Sequence, residues 1–396
     1  MGHKIKPTGY SGMGMKTCRY FKGDRPCNYY WIDRSWECST CSHHFPFNEK
    51  ILLIKLDSAG DVVRSTCIAE GLKKKYPDSQ LTWLVAKESK TFIENNLFID
   101  SIVLYNEENI RILQGRTFDI IINLDKDAKA TSIIKLCNSD NKLGYGLHED
   151  GHVIPLNSGS EYHYNICLDN WGQKQKNIKS YQKMIFDMAE LKYDNEVPEL
   201  YLDDNLSKNF KNTFFKKYKI QLDFNIILLN TGCGPTLPEK KWTYDGFKKL
   251  IHLLSKDKRN MIILTGAGNE IDRNSKLFKE CNVSGNFIDT TNKYSLKEFI
   301  FLINLCDVIV TADSVALQIA IALKRRIITF FGPGPSKESD MFGFGKAFVR
   351  EELECLMCHG KQAREDFECP YDKKCMTLIK ADEVHLAITE LLEDIK

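Results

Sequence analysis

Two stretches of this chain follow one plan: a short apolar strand, a polar turn, then a helix opened by an acidic or hydroxyl residue. The more constraining is Asp307–Pro335, DVIVTADSVALQIAIALKRRIITFFGPGP. Val308–Thr311 reads as a strand, Ala312-Asp313-Ser314 as a turn, Val315–Leu323 as a helix and Arg326–Phe330 as a second strand, closed by a Gly-Pro-Gly-Pro loop. Apolar strands alternating with helices of this length call for a parallel sheet covered on both faces. Where the strand gives way to the helix, the first N–H groups lack internal partners and the dipole end is positive, so an anionic ligand is favoured. Asp313 and Ser314 stand there, with plain helix capping as the competing use.

The second unit lies near the front. Lys50–Thr66, KILLIKLDSAGDVVRST, reads as a strand Ile51–Leu56, a tight turn at Gly60, and a helix opened by Asp61 and running to Lys75. Val62, Val63, Cys67, Ile68 and Leu72 form its apolar face. Asp61 is thereby held at the mouth of a crevice. Two such units some 250 residues apart, each in its own αβ series, predict an α/β protein of two facing, doubly wound, Rossmann-like domains.

The rest of the sequence divides around them. Residues 1–48 form a cysteine-rich lead, residues 49–205 a first αβ domain and residues 206–396 a second, with a junction in Asp203–Leu222. The first domain has expected strands at Ile51–Leu56, Leu81–Val85, Ser101–Tyr105 and Phe118–Leu124. Asn141–Gly159 reads as loop and hairpin, and Tyr162–Leu191 as a helical region broken near Trp171-Gly172. The second has strands at Ile226–Asn230 and Met261–Thr265, with helices at Tyr244–Leu254, Glu270–Glu280 and Ser295–Leu305. With 396 residues, 43% hydrophobic and 27% charged, each half can bury a core of its own. A net charge of +2 makes no overall case for nucleic acid.

No apolar run reaches the roughly 18 residues of a membrane span, and the N-terminus lacks the apolar centre of a secretory signal. A cytoplasmic protein is expected. The lead segment holds seven Lys/Arg against three Asp/Glu, a basic patch suited to peripheral contact with the inner membrane face or to an acidic partner.

Two loops of the second half carry binding chemistry. Asn230–Trp242, NTGCGPTLPEKKW, follows a strand, and its Thr231, glycines, Lys240 and Lys241 offer hydroxyl, N–H and ammonium groups to a diphosphate. Gly266-Ala267-Gly268 also follows a strand, but Ile271 stands where a dinucleotide fingerprint needs its third glycine, so NAD is poorly supported.

Taken together, LDSAGDVVRST, EKKWTYDGFKKL, TADSVALQIAIAL and FFGPGP resemble glycosyltransferase family 9, the ADP-heptose:lipopolysaccharide heptosyltransferases and their relatives. The resemblance runs from about Lys50 to the C-terminus in the family's order. It implies a GT-B architecture of two facing Rossmann-like domains, the first for a glycan or glycolipid acceptor and the second for a nucleotide-sugar donor, ADP-heptose or related. It also implies a donor-binding role for Lys240, with Lys241 as the fallback. Glu270 would face the donor ribose, and Asp313, beside Ser314, the transferred sugar. Asp61 is the expected base, with no catalytic cofactor or divalent metal. Two departures stand out: Val315 and Gln318 occupy places where relatives commonly have glycine and histidine. Gln318 can still donate a hydrogen bond but cannot carry charge, which bears on donor affinity or identity.

Eight of the fourteen cysteines fall into two sets of four: Cys18, Cys27, Cys38 and Cys41 in the lead, and Cys355, Cys358, Cys369 and Cys375 in a loop near the end. Four thiolates in an irregular segment suit a structural Zn or Fe site, with plain thiols or disulfides as the alternatives and His43 or His44 able to replace one ligand. The other six read as small buried hydrophobes.

Two other functions remain open at this stage. The lead interleaves Tyr20, Phe21, Tyr29, Tyr30 and Trp31 with basic residues, a pattern that suits RNA on a non-catalytic transferase scaffold, although the same rings can pack around a metal knuckle. A sugar-nucleotide epimerase is the third reading, which copurifying NAD would support.

Overall fold

The computed structural model describes residues 18–21, 25–35, 38, 40–168, 176–234, 237–283, 285–358 and 369–394. The first half contains β1 (Lys50–Ile54), β2 (Gln80–Val85), β3 (Ser101–Leu104), β4 (Ile120–Asn123), β5 (Lys142–Leu147) and β6 (Val153–Pro155). They form one sheet in the order β3-β2-β1-β4-β5-β6, parallel except for the β5–β6 hairpin. The second half contains β7 (Asn225–Asn230), β8 (Asn260–Thr265), β9 (Phe287–Asp289), β10 (Val308–Ala312), β11 (Arg326–Phe331) and β12 (Gly345–Val349). Read from its other edge, that sheet runs β9-β8-β7-β10-β11-β12, all parallel, and so repeats the order of the first. The two halves are doubly wound sheets of the same topology, as the sequence predicts.

This order decides where a ligand can go. In each sheet the chain moves outward from the first strand, then returns to build the other side, which leaves a crevice beyond the carboxyl ends of the two central strands. Those strands are β1 and β4 in one half and β7 and β10 in the other. The strands themselves are apolar because both faces are covered: Ile51, Leu52, Leu53 and Ile54 are fully buried, as are Ile227, Leu228, Leu229, Val308, Ile309 and Val310. One apolar cluster runs without a break from Leu53, Val62 and Tyr181 of the first half to Leu228, Ile319 and Ala320 of the second. The halves therefore share core, and burial of that apolar surface opposes their separation.

Several expected elements need correction. The helix expected to run from Asp61 to Lys75 is two helices, Ala59–Arg64 and Cys67–Lys75. Ser65 and Thr66 interrupt it, their hydroxyls bonding back to the carbonyls of Asp61 and Val63. Asp61 thus sits in the first turn of a six-residue helix that already starts at Ala59. The Asp203–Leu222 junction is largely the helix Asp204–Tyr218, whose Phe210 packs on Tyr294 and Phe301 of the second half. The Tyr162–Leu191 region holds helices Ser158–Leu168 and Tyr181–Met188, and the expected break at Trp171-Gly172 lies outside the described residues. The short strands β9 and β12 and the final helix Ala381–Glu393 were not anticipated. Among the described residues no helix is long and apolar enough to cross a membrane.

Candidate active site

A cleft of about 1260 Å³ lies between the halves, at the carboxyl ends of the central strands. One wall begins at β1. The strand ends in Lys55, a lysine in an otherwise apolar run, and its side chain is buried. Lys55 donates to the Asp57 carbonyl and to the carboxylate of Asp125, which follows β4. Asp125 also accepts from the Leu56 N–H at 2.5 Å. Burial works against the Lys55 charge, yet Tyr181, Asp125 and Asp61 around it raise its hold on the proton.

Asp61 stands above this buried pair. Its Oδ1 lies 2.7 Å from Arg64 Nη2 and its Oδ2 3.9 Å from Lys55 Nζ, while about a third of the side chain (34%) remains open to the cleft. Burial alone would push the carboxyl up, but Arg64, Lys55 and a hydrogen bond from Ser58 outweigh it and hold the group at about 2. Two cations and a serine hydroxyl thus keep Asp61 ionised. Arg64 lies over the Tyr181 ring at 3.6 Å, and Tyr181 in turn meets the Ser65 hydroxyl at 3.2 Å. Burial disfavours the Arg64 charge; Asp61 first, then Tyr181, Glu338 and Asp313, more than offset this.

The facing wall is built from β7, β8 and β10. Asn230, at the end of β7, donates to the hydroxyl of Thr311 at 2.8 Å and to that of Ser314 at 3.4 Å, tying the two central strand ends together. Ser314 caps the helix Val315–Ala322 by accepting from the Ala316 N–H. Its neighbour Asp313 points into the cleft, where Lys240 Nζ meets its Oδ2 at 2.6 Å. Gly334 of the Gly-Pro-Gly-Pro loop closes over this pair. A Cβ added there would sit 2.8 Å from Asp313 Oδ2 and 3.2 Å from Lys240 Cε, so a larger residue would displace the ends of this pair. A second pair, Lys241 Nζ to Glu270 Oε1 at 2.6 Å, lies under the Gly266–Gly268 turn.

Asp61, Lys240, Glu270, Asp313, Ser314 and Gln318 all line the cleft, whereas Thr231 and Lys241 do not. The Thr231 hydroxyl donates inward to Asn274 at 2.6 Å. Gln318 is buried against the opposite wall: a Cβ on Gly60 would lie 3.6 Å from its Cγ and 3.7 Å from Val315 Cα. Sequence reasoning missed Lys55, Arg64, Asp125, Tyr181 and Asn230. Lys55 and Asp125 had a readable signal, a charge at the end of an apolar strand; Tyr181 had none.

No disulfide joins any of the fourteen cysteines. Each expected set of four is gathered in space: Cys38 has Cys18, Cys27 and Cys41 as electrostatic neighbours, and Cys375 has Cys358, Cys369 and Cys355. The later set abuts the Gly-Pro-Gly-Pro loop. A Cβ on Gly332 would fall 2.6 Å from Cys375 Sγ, and the Met357 N–H donates to the Gly332 carbonyl at 2.8 Å. Four thiols beside one loop are the donor type a thiophilic metal takes, with no three of their sulfurs mutually within 4.8 Å in this structure. Among the described residues the one His/Cys/Asp/Glu trio with ligand atoms mutually within 4.8 Å is the exposed His148, Asp150 and His152. In the lead, Tyr29 stacks on His43 (centroids 4.0 Å apart) and meets the edge of Tyr20, while Trp31 stays 55% exposed.

The glycosyltransferase family 9 (heptosyltransferase) family model matches residues 108–367. Lipopolysaccharide heptosyltransferase 1 of Campylobacter coli is 21% identical over 361 residues, covering 87% of this chain and 99% of that protein. The solved ADP-heptose lps heptosyltransferase II of E. coli superposes with a TM-score of 0.63 at 16% identity, covering 87% of this chain and 99% of its own. TibC, a bacterial iron-containing dodecameric glycosyltransferase from enterotoxigenic E. coli, superposes with a TM-score of 0.53 at 13% identity over 88% of this chain and 77% of its own. At these identities the solved structures speak for the fold, which is that of the GT-B heptosyltransferases.

Proposed function

Since the chain belongs to glycosyltransferase family 9 and is a glycosyltransferase, we propose that it moves a heptose from ADP-heptose to a hydroxyl of a glycan or lipopolysaccharide-type acceptor, in one inverting displacement. The observation that carries this reading is the pairing of walls: an ionised, part-open carboxylate on one side and a lysine-bearing loop beside a helix N-terminus on the other. ADP-heptose and lipopolysaccharide are the chemistry named for the relatives at 21% and 16% identity. They enter here as the expected substrate class.

In this reading the nucleotide occupies the second half. The diphosphate shares the Lys240 ammonium, now paired with Asp313, and faces the positive start of the helix that Ser314 caps. Gly232 and Gly266 close on Glu270, where an added Cβ at either would come within 2.8 Å of its side chain. Its carboxylate, already paired with Lys241, lines the cleft, where a ribose hydroxyl can share it. The acceptor enters from the Asp61 side. Its hydroxyl oxygen forms the new bond to the anomeric carbon from the face opposite the diphosphate. The bond from that carbon to the diphosphate oxygen breaks, its electron pair leaves with the diphosphate, and Asp61 takes the hydroxyl proton. A carboxylate held at about 2 is a weak base. It suffices because the hydroxyl becomes acidic only as its oxygen bonds to carbon, and a base in contact then accepts the proton. Lys240 and the helix N–H groups stabilise the charge that develops on the leaving group.

Cys355, Cys358, Cys369 and Cys375 would hold a structural metal; TibC is described as iron-containing. Bound there, it would supply four metal–sulfur bonds that brace the loop against Gly332, two residues from the glycine over Lys240 and Asp313.

The test is incubation with a panel of nucleotide sugars and glycan acceptors, scored for nucleoside diphosphate release. Acceptor-dependent ADP release from ADP-heptose is expected. Release from no donor by protein shown to be folded would overturn the reading.

A further inference from the structure

The described residues of the lead are joined to the first half at the end of the sheet remote from the cleft. The Asn48 N–H donates to Asp78 at 2.9 Å and the Gln80 N–H to Glu49 at 2.7 Å, at the amino ends of β1 and β2. Arg19 forms an ion pair with the buried Asp100 at 2.8 Å, and Asp100 also pairs with Lys73 and accepts from the Leu81 N–H. The segment is thus anchored, yet it has almost no core. Cys18 and Phe47 are its only buried apolar residues among those described. The 25 described residues of the lead, with so little buried surface among them, do not offset the entropy of ordering them without a covalent or coordinate staple.

The backbone supplies the place for one. Three of its four cysteines begin a tight turn: the N–H of Phe21 donates to the Cys18 carbonyl (3.0 Å), that of Tyr30 to Cys27 (3.2 Å) and that of His44 to Cys41 (3.0 Å). The turns converge, since Cys38 has Cys18, Cys27 and Cys41 around it and Tyr29 has Cys27 and Cys41 beside it. The same turns hold the Tyr20–Tyr29–His43 ring stack. His44, at the end of the last turn, keeps a buried Nε2 with no hydrogen-bond partner. Four neighbouring thiols, none in a disulfide, are the donor types of a closed tetrahedral site; no three of their sulfurs lie mutually within 4.8 Å here, so a bound metal would draw the turns together.

We propose that Cys18, Cys27, Cys38 and Cys41 bind one zinc ion, a second metal site independent of the C-terminal set and of the transfer reaction. Four protein sulfurs leave no open position for substrate, and β1 alone, at five residues, puts roughly 16 Å between this site and the Asp61 end of the sheet. The zinc is a folding element: it replaces the missing core of the lead segment and fixes it on Asp78, Ser79 and Asp100. The rings whose pattern suits RNA are in part committed to the knuckle.

The full-length chain, purified without added metal, is the material for the test. Metal is counted per chain in wild type, in Cys355→Ser/Cys358→Ser, and in that variant with Cys38→Ser/Cys41→Ser added. The expected result is one zinc retained when the C-terminal set is disabled and lost when the N-terminal pair is also replaced. X-ray absorption at the zinc edge of the C-terminal variant should show four sulfurs at about 2.3 Å. Because the variants could fail to fold, wild-type protein is also alkylated under native conditions and mapped by mass spectrometry. Cys18, Cys27, Cys38 and Cys41 should be protected until a zinc chelator is added, then react together. Alkylation of all four at the same rate with and without chelator would overturn the proposal. So would a Cys38–Cys41 disulfide in the native protein, or zinc content that stays the same when the N-terminal pair is replaced.

Discussion

Replacing Asp61 by asparagine separates chemistry from architecture, and the structure changes what that experiment should show. From the sequence, Asp61 opened a helix, and the amide would have kept a capping oxygen with little effect on melting. In the fold Ser58 is the N-cap residue, and Asp61 is the counter-ion of Arg64 at 2.7 Å and lies 3.9 Å from Lys55. The amide keeps the shape of the side chain but leaves Arg64, only 16% exposed, without its nearest anion. Breaking a buried pair costs about 3–5 kcal/mol; with a third of this carboxylate in water and Asp125 still neutralising Lys55, about 1–2 kcal/mol is the reasonable share. As the base, Asp61 should be worth on the order of 10²–10⁴ in turnover, about 3–5 kcal/mol of activation free energy. The assay is steady-state nucleoside diphosphate release per folded molecule, beside thermal melting and donor titration. The expected outcome is a modest fall in melting temperature, unchanged donor binding and a loss of turnover of that size. Turnover that survives while melting falls would refute the base assignment and leave Asp61 as a structural partner of Arg64.

Three further outcomes are expected. Lys55→Met should destabilise the fold by about 3–5 kcal/mol, read as a shift in the denaturant midpoint, because it leaves Asp125 buried without its cation. Asp313→Asn should weaken ADP-sugar binding while leaving ADP binding equal or tighter, because Lys240 loses its competing carboxylate; calorimetric titration of both ligands reads the split. The carboxyl of Asp61 is held at about 2, below its ordinary value of 3.8, so its contribution to stability is complete above that ordinary value and is lost as pH falls toward 2. Acid unfolding curves of wild type and Asp61→Asn should therefore draw together between about pH 4 and pH 2 and meet near pH 2, and a constant gap down to there would argue against the ion pair.

The strand ends were the most legible part of this chain, for a physical reason. A buried parallel strand must be apolar throughout, so the first polar residue after it marks the carboxyl end of the sheet, where the crevice lies. Asp61, Asp313 and Ser314 were found on that basis, and the same rule applied to Lys55 and Asp125 would have found the charges under Asp61. The helix break at Ser65–Thr66 was hidden because apolar periodicity continues across it, while the hydroxyls that divert the backbone bonds leave no periodic trace. Tyr181 shows another limit. It matters through a contact more than a hundred residues away in sequence, with Arg64, and no local pattern carries that information. Within the two loops, neighbouring residues point different ways, which sequence alone does not show. Thr231 and Lys241 lie beside the cleft residues in sequence, but each spends its polar atoms on a neighbour inside the domain, Asn274 and Glu270.

The central claim is that the cleft between the halves seats a nucleotide sugar in the second half with its reacting carbon toward Asp61. A crystal structure of the protein with ADP or a non-transferable ADP-sugar tests it most directly. The diphosphate should then lie within hydrogen-bonding reach of Lys240 Nζ and of the N–H groups beyond Ser314, with the anomeric carbon facing Asp61. A nucleotide bound outside this cleft, or inside it with its diphosphate against Asp61 and Arg64, would contradict the claim.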